Sequence, residues 1–159
     1  MKNRAFTLIE LLVVIAVIAI LSSFALVMLS DSKARGRDSR REGDMKQIQD
    51  GLQIYATNRQ KYPDCPSGTV SVDTVNIDNN TFVKINGKDD CMSVALIGES
   101  FMVGVPVDPL LGSSNDCSDL DAQIYCYVSD GFTYILKYKL ETDTIYGKSS
   151  GWNSVIVEH

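Results

Sequence analysis

The sequence predicts an α+β fold in which one long N-terminal helix packs against a small antiparallel β-sheet. Three observations support this fold. Residues 11–30 form a charge-free apolar run, apolar residues recur at helical spacing over residues 45–56, and short β-prone runs follow Pro63. The first two patterns predict one helix with a transmembrane half and an amphipathic half, and the third predicts the sheet.

The apolar run is long enough to cross a membrane. At about 1.5 Å per residue, a helix over residues 11–30 spans about 30 Å, the thickness of a bilayer hydrocarbon core. Glu10 lies at the start of this run, where a carboxylate costs much less than at the membrane centre. A plain single-pass anchor explains the length of the run but gives no role to Glu10, so its position indicates a partner.

A secretory signal peptide is a second interpretation of the same residues. Residues 21–25 offer an imperfect cleavage site. The apolar run is longer than the ~7–15 residues usual in such signals, which argues against this interpretation.

The amphipathic half is predicted over residues 31–62. A polar stretch comes first, and Pro63 then ends the helix because proline disfavours helical geometry in the residue before it. We expect the sheet to cover the apolar stripe. The stripe residues are Met45, Ile48, Leu52, Tyr55 and Ala56.

Residues 63–159 are predicted to form one globular, β-rich domain, called the head below. The β-prone runs are residues 69–75, 81–85, 124–128 and 132–140, with a short helix predicted over residues 92–103. Asp130-Gly131 is a turn signal, so the last two runs are predicted to form a hairpin.

Charge is distributed unevenly along the chain. Residues 1–62 carry ten Lys or Arg against six acids, whereas residues 63–159 carry five against fourteen. A basic stalk and an acidic head either pair between neighbouring subunits or form ordinary solvated surface. Basic and acidic residues alternate over residues 33–44, which argues against nucleic-acid binding.

All four cysteines lie in the head, as expected for a domain that matures in an oxidising compartment. Three pairings are possible, and the short loop between Cys117 and Cys126 favours joining these two, which leaves Cys65 for Cys91. A zinc site is the alternative, disfavoured because no C-x-x-C pair is present and His159 is the single histidine.

With that one histidine and no phosphate-binding glycine motif, the sequence predicts no enzyme.

The first twelve residues resemble the leader and helix start of type IV prepilins and of type II secretion pseudopilins. The match is the basic leader, residues 1–5, followed by Phe6-Thr7-Leu8-Ile9-Glu10. The resemblance implies cleavage between Ala5 and Phe6 by a prepilin peptidase and methylation of Phe6. Ala5 stands where the family usually has glycine. Glu10, fifth in the processed chain, would neutralise the terminal amine of a neighbouring subunit.

What the resemblance implies is a pilin-like fold and a structural role. Residues 6–30 would be the filament core, and the partners would be the peptidase, an inner-membrane assembly platform, and copies of the chain or related pilins. The chain would sit in the cytoplasmic membrane with its head outside the cytoplasm, and then in a pilus or pseudopilus. The alternative is a membrane-anchored extracytoplasmic binding domain that does not polymerise.

Major pseudopilins also bind calcium in a loop of the head, and this resemblance makes calcium a possible cofactor. Oxygen ligands suitable for calcium cluster within a short span of this head. The candidates are Asp108, Asp116, Asp119 and Asp121. Solvated acids in a disulfide-tied loop are the alternative interpretation.

Overall fold

The computed structural model describes residues 7–65, 82–110, 112, 114, 117–119 and 121–158, with the backbone alone for residues 24–27. It contains two helices, α1 (Leu8–Arg59) and α2 (Cys91–Gly98). Its four strands are β1 (Val83–Lys84), β2 (Cys126–Ser129), β3 (Thr133–Leu140) and β4 (Gly151–Glu158). The strands form one antiparallel sheet in the order β1-β2-β3-β4. The predicted α+β arrangement of one long helix on a small sheet is confirmed.

Helix α1 runs without interruption for 52 residues. It ends at Arg59 because Gln60 adopts a left-handed conformation (φ 60°) and closes the last turn through its N–H and the Ala56 carbonyl. The chain then leaves the helix axis, and the Tyr62 N–H donates to the Gly131 carbonyl at 2.8 Å. The helix therefore stops just before the predicted boundary, since residues 60–62 already belong to the join with the hairpin.

The core forms between the second half of α1 and one face of the sheet. Four of the five predicted stripe residues are fully buried: Met45, Ile48, Leu52 and Ala56. Tyr55 is half-buried and packs edge-on against Phe101, with ring centroids 5.7 Å apart. The sheet contributes alternate side chains, as the period-two pattern predicts. These are Tyr127, Tyr134, Leu136 and Tyr138, and Tyr125 continues the alternation just before β2.

The hairpin is present as predicted, with β2 and β3 joined by a turn at Gly131 (φ 93°). The other predicted elements are shorter. The run at residues 81–85 contributes only the two residues of β1, and the run at residues 69–75 lies outside the described residues. Helix α2 begins at its Asp90 N-cap and ends at Gly98, well before the predicted residue 103, where the chain turns through Ser100 (φ 61°).

No strand is predicted beyond Leu140, yet β4 pairs with all eight residues of β3. Its sequence does not alternate cleanly, because Asn153 and Ser154 precede three consecutive apolar residues. Pairing along β3 satisfies the backbone groups on one edge of β4, and Val155 and Val157 pack against the core. The free edge of β3 therefore explains why residues 151–158 form a strand better than their own sequence pattern does.

Candidate functional site

The first half of α1 exposes an apolar surface. The side chains of residues 8–23 and 28–33 are all exposed, with Leu8 at 80% and Leu21 at 63%. Among the described residues, α1 alone has a stretch long and apolar enough to cross a bilayer, and none of that stretch is buried within the chain. An uncovered apolar surface of this size is typical of a segment that meets lipid or another protein.

Glu10 lies in the first turn of α1 and forms a capping box with Thr7. The Glu10 N–H donates to the Thr7 hydroxyl at 3.3 Å, and the Glu10 carboxylate accepts from the Thr7 N–H at 3.4 Å. Both groups are exposed. Ala5 and Phe6, between which cleavage is predicted, lie outside the described residues.

A buried arginine joins α1 to the head. The Arg41 side chain is 0% exposed and contacts three carboxylates. Its Nε donates to Asp108 at 2.7 Å, and its Nη1 donates to Asp38 at 2.7 Å and to Glu141 at 2.6 Å. Its Nη2 also donates to the Gln123 side-chain oxygen at 3.0 Å. Arg41 thus connects the helix to the chain before Leu110, to the chain before β2 and to the end of β3.

Further ion pairs extend this junction along α1. Arg37 donates to Glu141 through two nitrogens, at 2.7 and 2.5 Å. We call the residues Arg37, Asp38, Arg41, Asp108 and Glu141 the stalk–head cluster. One turn further along, the Glu42 carboxylate accepts from Lys148 Nζ at 2.8 Å and from the Tyr138 hydroxyl at 2.6 Å. Arg37 and Arg41 of the stalk therefore pair with Asp108 and Glu141 of the head within one chain, and pairing between neighbouring subunits stays a prediction.

Sequence reasoning missed the stalk–head cluster because charges of both signs on a helix usually mark a solvated face. A signal was nevertheless present in the spacing. Asp38 and Arg41 precede Met45 at intervals of three and four, so they continue the buried stripe toward the N-terminus. Charged residues in register with an apolar stripe, facing surplus acids in the head, indicate a buried ion pair.

The cluster also shifts acid–base equilibria. Hydrogen bonds from Arg37, aided by those from Arg41, lower the pKa of Glu141 from 4.5 to about 2. The same carboxylates raise the pKa of Arg41 far above its ordinary value in spite of its burial. Burial raises the pKa of Asp44 nearby, whose carboxylate accepts a hydrogen bond from the Tyr125 hydroxyl at 2.8 Å.

We expect acid to weaken the junction through Glu141. Its pKa is lower in the folded chain, so its contribution is complete above about pH 4.5 and is lost as the pH falls toward 2. The loss is roughly 3 kcal/mol, partly offset by Asp44, whose raised pKa has the opposite sign. We expect the free energies of unfolding of the parental chain and of Glu141→Gln, measured in detergent, to differ most at pH 6 and to become equal near pH 2. A constant difference across this range would contradict the assignment.

The structure forms the two disulfides that the short-loop argument favours. Cys65 is bonded to Cys91 and Cys117 to Cys126, so no cysteine of the chain is free. The first bond ties the chain after α1 to the start of α2. The second ties the loop before β2 to the strand itself. Both hold chain segments that have little secondary structure of their own.

The three predicted calcium ligands that the structure describes, Asp108, Asp119 and Asp121, do not form one group. Asp108 is buried against Arg41, and its Oδ1 also accepts from the Leu110 N–H at 2.9 Å. Asp119 accepts from the Asp121 N–H at 2.9 Å, and Asp116 lies outside the described residues. No group of three or more acidic, cysteine or histidine residues close enough to hold a metal ion occurs among the described residues. Asp108 therefore serves the ion pair with Arg41.

Comparison with known proteins identifies one family model and one curated relative that are similar to this chain. Residues 1–26 match the family model for the prokaryotic N-terminal methylation motif. The chain is also 30% identical over 71 residues to the type II secretion system core protein G of Escherichia coli (strain K12). That alignment covers 45% of this chain and 49% of the relative, so the chain spans about half the length of the curated relative it matches. No solved structure gives a significant match.

The two matches agree with the architecture. The methylation motif overlaps the start of α1, whose first half is apolar and exposed and whose second half is packed against an antiparallel sheet. Together these findings support a prepilin-like or pseudopilin-like family for this chain.

Proposed function

We propose that this chain is a structural subunit of a type IV pilus-like or type II secretion filament, processed by a prepilin peptidase and assembled through α1. The observation that carries the proposal is the continuity of the methylation motif with an apolar helix that no described part of the chain covers. Lipid covers that surface before assembly, and copies of the same helix cover it in the filament.

Residues 6–30 form the filament core in this proposal, and residues 63–159 form the filament surface. The hydrophobic free energy changes little when a helix moves from lipid to a packed helix bundle, because both surroundings exclude water. Close packing and polar contacts must then provide specificity. Glu10 is the one charged residue between Phe6 and Asp31, so its pairing with the terminal amine of a neighbour sets the register of the subunits.

The stalk–head cluster gives the head a fixed position on the helix. Arg41 and Arg37 bind carboxylates from two parts of the head, and these bonds are buried or half-buried. A pull on α1 is therefore transmitted to the head through ion pairs and the core together. A subunit extracted from a membrane by an assembly platform needs such a rigid connection.

Processing and location follow from the same proposal. The peptidase cleaves between Ala5 and Phe6 and methylates Phe6, and the head lies outside the cytoplasm. Two disulfides in the head support that location, since such bonds persist in oxidising compartments. The role is structural, and the proposal assigns no catalytic residue.

The amino terminus of the chain purified from its native membranes tests the proposal. We expect intact-mass measurement and terminal sequencing to show a chain that begins at Phe6 and carries one added methyl group. An Ala5→Gly variant is the matched control and should be processed at least as completely. A chain that still begins at Met1 would favour a permanent anchor, and one that begins beyond Ser22 would identify a secretory signal.

A further inference from the structure

A groove of about 420 Å³ lies between α1 and the chain that follows α2. Val103 at its rim is fully exposed, and Ile54 is 47% exposed. Met102 packs so close to α1 that a Cβ atom added to Gly51 would lie 2.5 Å from its sulfur. The glycine thus allows the groove wall to approach the helix. The apolar walls are Ile54, Phe101, Met102 and Val103, and Gln47 and Asp50 are polar lining residues.

A second feature lies on another flank of α1, in the loop between β3 and β4. Asp38 accepts from the backbone N–H groups of Glu141 at 3.0 Å and Thr142 at 2.8 Å, which fixes the start of the loop. Lys148, toward its end, is bound to Glu42. Between these anchors Tyr146 is fully exposed. The loop therefore presents an aromatic side chain from a backbone that is held at both ends, which limits the entropy lost on binding.

The groove and Tyr146 are chemically complementary. A tyrosine ring is apolar and its hydroxyl donates a hydrogen bond, so it prefers a site with apolar walls and an acceptor at one end. Phe101 and Val103 supply such walls, and the exposed Asp50 carboxylate supplies an acceptor. Phe101, one of these walls, also makes an edge-to-face contact with Tyr55 outside the groove lining.

The two features cannot meet within one chain in this arrangement, because they lie on different sides of the helix. Gly51 follows Glu42 by nine residues, which in an α-helix is about 13.5 Å along the axis and about 180° around it. A contact between them therefore joins two copies through unlike surfaces. Such head-to-tail contacts build open helical assemblies when the rotation does not close a ring.

We propose that Tyr146 of one copy of this chain docks in the groove of a second copy, with its ring against Val103 and Phe101 and its hydroxyl on Asp50. The inference rests on the proposed function, because it names one contact by which filament subunits meet. It adds a contact between heads to the packing of the helices.

Cysteine cross-linking of the full-length chain in its native cells tests this contact. The four native cysteines are paired, so the Tyr146→Cys and Val103→Cys substitutions introduce the only free thiols. We expect a short thiol cross-linker to convert filaments of the double variant into a ladder of covalent oligomers on denaturing gels. Each single variant should give no product beyond a dimer.

Filament yield provides a second readout. Tyr146→Ala should lower the yield at least about tenfold, with the unfolding temperature of the head unchanged because the side chain is exposed. Tyr146→Phe, which keeps the ring, should retain more of the yield. Phe132→Ala removes another exposed aromatic side chain, from the β2–β3 turn, and should leave the yield at the parental level.

The possible outcomes distinguish failure of the Tyr146 contact from failure of the proposed filament function. Filaments that form without the ladder, or a Tyr146→Ala variant with parental yield, would overturn the docking and leave the proposed function standing. A parental chain processed and expressed in its native cells that forms no filament would overturn both. A ladder together with the yield defect supports the contact.

Discussion

Replacing Arg41 with alanine should destabilise the folded head by about 3–5 kcal/mol, the usual cost of removing one partner from a buried ion pair. The substitution leaves Asp38 and Asp108 buried, 0% and 2% exposed, without the cation that compensates them. It also removes one of the bonds that join α1 to Glu141, whose carboxylate still accepts from Arg37. A smaller loss, below about 1 kcal/mol, would mean that water or rearranged side chains replace the guanidinium.

Chemical unfolding of the full chain in detergent, followed by tyrosine fluorescence, measures this effect. Arg40→Ala is the matched control, because Arg40 is the adjacent arginine and its side chain is 65% exposed. Its Nε lies 3.9 Å from Asp44, and an exposed pair of this kind contributes at most about 1 kcal/mol. Arg41→Lys should recover only part of the stability, since an ammonium group cannot reproduce the planar fork that contacts Asp108 and Glu141.

Replacing Glu10 with alanine should leave membrane insertion intact and reduce filament yield at least about tenfold. If the Glu10 carboxylate pairs with the terminal amine of a neighbour, its loss leaves an unpaired charge in an apolar core, which costs several kcal/mol. Each 1.4 kcal/mol corresponds to a tenfold change in the equilibrium. Filaments sheared from cells and quantified against total membrane-bound chain provide the measurement.

The capping box requires a control for the Glu10 substitution. Glu10→Ala also removes the acceptor for the Thr7 N–H, which weakens the start of α1 independently of any neighbour. Glu10→Gln keeps that acceptor and removes the charge, because glutamine also serves in a capping box. We expect Glu10→Gln to fail in assembly as Glu10→Ala does. Normal filaments from Glu10→Gln would contradict the charge-pairing role.

Local patterns predicted the elements whose residues repeat regularly. The spacing of Met45, Ile48 and Leu52 predicted the buried stripe of α1, and all three are fully buried. The period-two tyrosines predicted the hairpin of β2 and β3. Strand β4 was missed because its pairing with β3, more than its own pattern, makes it a strand.

Some residues of the candidate site were likewise predicted from local sequence, and others were recognised only in the structure. The leader and Glu10 were predicted from the sequence because they belong to one contiguous motif, and residues 1–26 match the family model for the prokaryotic N-terminal methylation motif. Arg41 was interpreted as one charge among many. Asp38 is a local partner at i−3, but Asp108 and Glu141 lie far away in the sequence, and no local pattern relates Arg41 to such distant residues.

The sequence by itself determined the long helix, its apolar first half, the β-rich head and the resemblance of its first residues to prepilins. These properties depend on hydrophobic periodicity and on a contiguous motif, which are local. The tertiary structure alone decided that Arg41 is buried, that Asp108 binds it, and that the groove and Tyr146 lie on different flanks of α1. Burial and ion pairing depend on which distant segments the fold brings together, and that information appears only when the chain is packed.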